Sequence, residues 1–279
     1  MERHQPPDIG NLVRFGWAYL NIEDPIVAWE TYRGIITNRR EQQALGLPPL
    51  TLWGVKLLKD LNSIEYKNEL LLEKVRIENF PDKISRLTGF FHFTDLDVAR
   101  SSKVWRFPHF KDENLAEIGF DPEAPFSTHD AEWISNHRWG EHGTDWMEKY
   151  WAGEPYKHRY NEPIWETLTE ASGVIWGTAI RENAYQTIKA RHPASLPLLD
   201  LARIAAEGGY PPGYVSPFIF KPSSSQNPRV EFILRAEEFN DPDFLSYLQQ
   251  YQGPVRHNLN ELITPDFRDQ GFEVHFLST

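Results

Sequence analysis

The chain has no cysteine and only two methionines. Without thiols there are no disulfides, no thiolate zinc sites and no cysteine nucleophile, and the composition fits a reducing cytoplasm, the expected location. No apolar run approaches the length needed to span a bilayer, so no membrane association is expected. The first ten residues, MERHQPPDIG, carry no apolar core of the kind a signal peptide has. Basic side chains are the minority, 29 Lys and Arg against 40 Asp and Glu, a formal charge of -11. Such a surface opposes non-specific binding to nucleic acid, and no basic run offsets it. The glycine-rich dinucleotide fingerprint, the phosphate-binding loop and the GxSxG elbow are all missing.

What is present is aromatic: ten Trp, 17 Phe and 11 Tyr in 279 residues. With a hydrophobic fraction of 40%, the chain can bury a substantial core. Trp together with 21 Pro predicts a loop-rich α+β protein rather than a helical bundle. No repeat or clear linker divides it. The expectation is one compact unit, a core over 11–190 with an extension over 191–279 packed on it.

Taken in order, residues 11–31 are dense in apolar side chains and predict buried structure. Trp29 to Ile36 has strand composition, with Arg33 inside it and Gly34 after it. Residues 39–49 read as a helix end or loop, 51–65 as a helix, and Glu69 to Ile77 as an alternating strand. Residues 106–128 read as an irregular excursion, because Pro and acidic residues interrupt any period. Helices are predicted over 145–151, 179–189, 196–207 and 241–252. Strands are predicted over 163–169, 174–177, 215–220, 229–235 and 272–277, with a loop over 223–227.

The stretch from Glu78 to Trp105 organises the rest. A Pro-Asp turn leads through Ser85-Arg86 into the apolar strand Gly89–Phe93, then into a short helix that Thr94 can cap. A polar pair at the mouth of an aromatic strand suits a phosphorylated ligand with flat rings, and it equally suits a plain strand-turn-helix. His129, His137 and His142 lie near Asp130 and Glu141, but spacings of eight and five in a loop do not match metal-ligand pairs, and no metal site is expected.

With these pieces assembled, the chain resembles the ADP-ribosyltransferase superfamily, in particular a poorly characterised bacterial branch that includes defence-linked members. The resemblance covers roughly 29–190. Four pieces carry it: Tyr32-Arg33-Gly34; Ser85-Arg86 before Phe90-Phe91-His92-Phe93; Asp130-Ala131-Glu132-Trp133; and Tyr150-Trp151-Ala152-Gly153-Glu154-Pro155 before Pro163–Leu168. The chain departs from the superfamily in having no Ser-Thr-Ser strand and no Glu-x-Glu pair.

The resemblance implies a split-sheet core with flanking helices, NAD as substrate, an unidentified macromolecular acceptor, and release of nicotinamide. It implies that Arg33 and Arg86 hold phosphate or ribose oxygens. Ser85 would support the ribose or the acid, and Phe91 or Phe93 would flank the nicotinamide. Asp130 is the first choice of catalytic acid and Glu166 the second, with Glu231 a further candidate. Each residue also has a plain reading: Asp130 as a helix cap, Glu166 as an exposed strand residue, Arg33 as an ion-paired one. Two other functions stand beside the transferase. One is a non-catalytic interaction protein that uses the C-terminal extension for a protein partner. The other is a hydrolase built on the residues at 129–142.

Overall fold

The structure is a computed structural model that describes residues 14–36, 50–137, 143–157, 162–223 and 227–275. It is an α+β protein with three small antiparallel sheets among the described residues. In chain order the first elements are β1 (Arg14–Tyr19), α1 (Pro25–Arg33), β2 (Ile35–Ile36), α2 (Leu52–Leu57), α3 (Ile64–Asn79), β3 (Phe90–His92) and α4 (Leu96–Ser101). There follow β4 (Leu115–Phe120), β5 (Phe126–Asp130), α5 (Glu132–His137), α6 (Asp145–Ala152), β6 (Trp165–Thr169) and β7 (Gly173–Ile175). The last are α7 (Thr178–Arg191), α8 (Leu196–Glu207), β8 (Val215–Phe220), β9 (Arg229–Leu234), α9 (Pro242–Gln250) and β10 (Phe272–Glu273).

The sheets run β1-β4-β7-β2, β3-β6-β5 and β10-β9-β8. The first two are stitched together where Trp17 and Phe93 exchange backbone hydrogen bonds of 2.7 and 2.8 Å. Behind the first sheet, α1 lies on α7 and α8, and Trp29, Ile118, Phe120, Ile188, Leu199 and Val215 form part of one core. That core draws from both sides of residue 190. Side chains of this size each contribute about 1.5–3 kcal/mol on burial.

Four expectations are corrected. Of Trp29–Ile36 only Ile35–Ile36 is strand, while Trp29 to Arg33 are helix and Arg33 ends it. Asp24 caps α1 through the backbone N–H groups of Ile26 and Val27, Pro25 takes the first helical position, and Gly34 closes the helix at φ 90°. These end signals outweigh the β-rich composition between them. Glu69–Ile77 is likewise helix, part of α3, capped by Ser63. Its buried face is Asn68, Glu69, Leu72 and Val75, a spacing of three and four, while Leu70 and Leu71 are exposed. The single helix expected over 51–65 is instead α2 and then the start of α3, separated by a turn. The excursion at 106–128 contains β4 and the start of β5. A smaller difference is the cap of α4, which is Asp95 rather than Thr94.

The remaining helices and strands fall where the sequence predicts, within a few residues of their expected ends. The expectations at 39–49, and parts of those at 223–227 and 272–277, lie outside the described residues, while the loop expected to carry His129 and His137 is instead β5 and α5 at those two positions.

Candidate functional site

The Ser85-Arg86 pair sits where α3, β3, β6 and α6 converge, and α3 grips it. Glu69 and Glu73 are one helical turn apart and so lie on one face. Arg86 Nε donates to Glu69 Oε1 at 2.8 Å, and Ser85 Oγ donates to Glu73 Oε2 at 2.9 Å. Glu73 also holds Arg76 by two hydrogen bonds, and Arg76 Nη1 donates to the Lys83 carbonyl. The loop carrying Ser85-Arg86 is thereby laced to the end of α3.

The other edge of Arg86 faces the second sheet. Its Nη1 donates to Glu166 Oε1 at 2.5 Å and to the Tyr150 hydroxyl at 3.0 Å. Tyr150 in turn donates to Glu166 Oε1 at 2.8 Å. The guanidinium lies 4.8 Å from the centre of the Phe91 ring, a cation–π distance. One cation, two carboxylates, a phenol and an aromatic face therefore form one cluster. The side chains of Arg86 and Glu166 retain 7% and 10% exposure, so the cluster is close to the surface without being open to it.

Burial sets the protonation tendencies. It pushes the Glu166 carboxyl above the ordinary value, and the attraction of Arg86 offsets this only in part. Burial likewise raises the Tyr150 phenol well above its usual range. For Arg86, burial opposes the charge, but Glu69, Tyr150 and Glu166 outweigh it and hold the guanidinium protonated. Two acids share one cation, so Glu166 is the group best placed to take up a proton.

Of the residues singled out in the sequence, Ser85, Arg86, Phe91 and Glu166 come together. The others do not join them. Arg33 is 3% exposed and pairs with Glu30 at 2.6 Å, beside the Tyr214 ring. Phe93 packs in a separate core with Tyr19, Ala99 and Ile164. Glu231 pairs with Arg229 on the third sheet.

Asp130 is fully buried, and its carboxylate accepts from the backbone N–H groups of Glu132, Ile164 and Tyr156 at 3.0, 3.2 and 2.8 Å. It is a loop anchor at the end of β5. The register also separates it from Glu166. His129 pairs with Glu166 and Asp130 with Trp165, so the two acids project from opposite faces of the sheet.

A hollow of about 460 Å³ opens beside the cluster, lined by Glu73, Arg76, Ser85, Thr88, Pro125 and Glu170 among others. Ser85 is the sequence-selected residue on its wall. A second hollow of about 650 Å³ lies between α2, the start of α3 and β10. Arg33, Asp130 and Glu166 line neither of these two.

Glu69, Glu73 and Tyr150 escaped selection as site residues. The signal for the two acids was their i, i+4 spacing, which is meaningful only once 69–77 is read as helix. Among the described residues no three His, Asp or Glu side chains are grouped as a metal's ligands, and His142 and Glu141 lie outside them. No helix among the described residues is long and apolar enough to cross a membrane. Set beside known proteins, the chain matches no family model, and no curated protein and no solved structure is detectably similar to it.

Proposed function

We propose that the chain transfers ADP-ribose from NAD to an acceptor, with Arg86, Tyr150 and Glu166 as the working centre and the Ser85 hollow as the approach to it. The observation that carries this reading is the buried carboxylate of Glu166, held by one guanidinium and one phenol, with Arg86 delivered by the loop whose Ser85 walls a ligand-sized hollow. Breaking the ribose–nicotinamide bond sends the electron pair to the leaving nicotinamide and leaves positive charge on the sugar. A carboxylate beside the reacting carbon stabilises that charge and orients the attacking group, which forms the new bond to the sugar and gives up its proton. Arg86 is the group suited to a phosphate or ribose oxygen, and Phe91 supplies a flat apolar wall. Arg33 and Asp130 have structural tasks in this reading.

The test is incubation of the full chain with labelled NAD and a cell lysate. Nicotinamide release and label transfer are expected, and both should fall by about 100-fold in E166Q. No release, with no rise in melting temperature at millimolar NAD, overturns the proposal.

A second reading is a non-catalytic interaction protein. The observation favouring it is one face of the third sheet, where Phe218 and Ile233 are exposed. It gives a persistent complex on pull-down without nicotinamide release.

A further inference from the structure

Behind the cluster lies a histidine that the proposed chemistry does not use. His129, on β5, is fully buried, and its ring stacks on Tyr150 at 4.6 Å and meets Trp151 edge-on at 4.9 Å. Its Nδ1 lies 2.9 Å from the Tyr150 carbonyl, and its Nε2 lies 2.9 Å from Ser127 Oγ. A carbonyl oxygen only accepts, so Nδ1 carries the proton and Nε2 is the acceptor. Ser127 must then donate to Nε2, and its oxygen accepts the backbone N–H of Ile84 at 3.1 Å. Ile84 directly precedes Ser85-Arg86.

One imidazole therefore touches both sides of the centre. Through its ring and Nδ1 it fixes the residue whose hydroxyl bridges Arg86 and Glu166. Through Nε2 and Ser127 it fixes the loop that delivers Arg86. The register adds a third link, because His129 is the cross-strand partner of Glu166 on the same face. Burial lowers the His129 pKa to about 4, in keeping with a neutral imidazole near neutral pH.

We propose that His129 is a positioning residue that holds Tyr150 and the Ser85-Arg86 loop in register with Glu166. The proposal rests on the transferase reading for its kinetic consequence but not for its geometry, so its test has two arms. In the kinetic arm, H129F keeps a ring and loses both nitrogens, whereas H129N keeps a donor near the Nδ1 position. H129F is expected to lower kcat for nicotinamide release by about tenfold or more with KM changed less than about twofold, and H129N to recover part of the loss. In the second arm, NMR follows the Tyr150 ring and the Ile84 amide without NAD. In H129F both are expected to shift, with faster exchange at the Ile84 amide.

If the wild-type chain releases no nicotinamide, the transferase reading falls, and the NMR arm still decides the geometry. S127A, which cuts the relay while keeping His129, serves where H129F does not fold. Its Tyr150 and Ile84 signals are expected to move in the same sense. Unchanged Tyr150 signals in a folded H129F or S127A, or an active H129F with unaltered kcat, would overturn the proposal.

Discussion

Arg86 and Glu166 are separated by 80 positions in the chain, yet Nη1 of one lies 2.5 Å from Oε1 of the other. The arginine is held from the far side by Glu69 at 2.8 Å. A buried cation with two acidic neighbours is a structural commitment as well as a chemical one.

Removing the arginine leaves two carboxylates facing each other. R86A is expected to cost about 3–5 kcal/mol of stability, the usual penalty for breaking a buried ion pair. E166Q keeps the shape and a hydrogen-bond acceptor while removing one of the two negative charges, so it should stay within about 1 kcal/mol of wild type. Urea denaturation measures both. In the proposed reaction E166Q should still lower turnover by about 100-fold.

Asp130 and Arg33 should behave in the opposite way. D130N converts one acceptor oxygen into an NH₂ facing backbone donors, and a loss of about 1–3 kcal/mol is expected. R33A removes a buried guanidinium that pairs with Glu30 and is expected to cost about 1–3 kcal/mol. Neither should alter the shift in melting temperature that NAD produces in the folded protein. Loss of that shift in a folded R33A or D130N variant would return those residues to the binding site.

Acid should destabilise the protein through two histidines. Burial holds both His92 and His129 at about 4, below the ordinary 6.5. The unfolded chain therefore takes up protons between those limits and the folded chain does not. Each histidine contributes stability that is present above about pH 6.5 and is lost as pH falls toward 4, up to about 3 kcal/mol apiece. Glu166 works in the other direction. Its raised folded value gives a contribution that is present below 4.5 and is lost as pH rises from there through the higher folded value. Urea melts from pH 4 to 7 read the sum, and NMR should find both imidazoles neutral at pH 5. A midpoint near 6.5 for either would refute this assignment.

Gly16 is required by its neighbour. A Cβ there would come within 2.2 Å of His92 Nδ1, and His92 is itself held by a 2.8 Å contact from Nε2 to Thr169 Oγ1. G16A is expected to destabilise by about 1–3 kcal/mol. Most of that penalty should vanish in an H92A background, giving a strongly non-additive pair in a double-mutant cycle.

The strands and helices after residue 145 were legible because their ends are punctuated: Gly153, Gly208 and the Asp241-Pro242 start mark them plainly. α1 and α3 were misread for a common reason. Both carry apolar or β-branched runs whose composition favours strand, and only their caps and their pattern of contacts reveal helix. The Ser85-Arg86 corner and Glu166 could be found from local motifs. Arg33 could not be placed, because its assignment depended on the misread strand. Asp130 anchors the backbone around residues 132, 156 and 164 and stands on the opposite face of the sheet from Glu166. The deciding fact was the pairing of β5 with β6, a long-range register that no local window contains.

The grip of α1 on the later chain has a practical consequence. Trp29 Nε1 donates to the Gly213 carbonyl at 2.7 Å, and the Val215 N–H donates to Glu30 at 2.6 Å. A fragment ending near residue 190 would strand this tryptophan and the apolar backs of α1 and α7 in water. Expressed alone, such a piece should aggregate rather than report on the activity of the whole, so mapping by deletion would mislead where point substitutions would not.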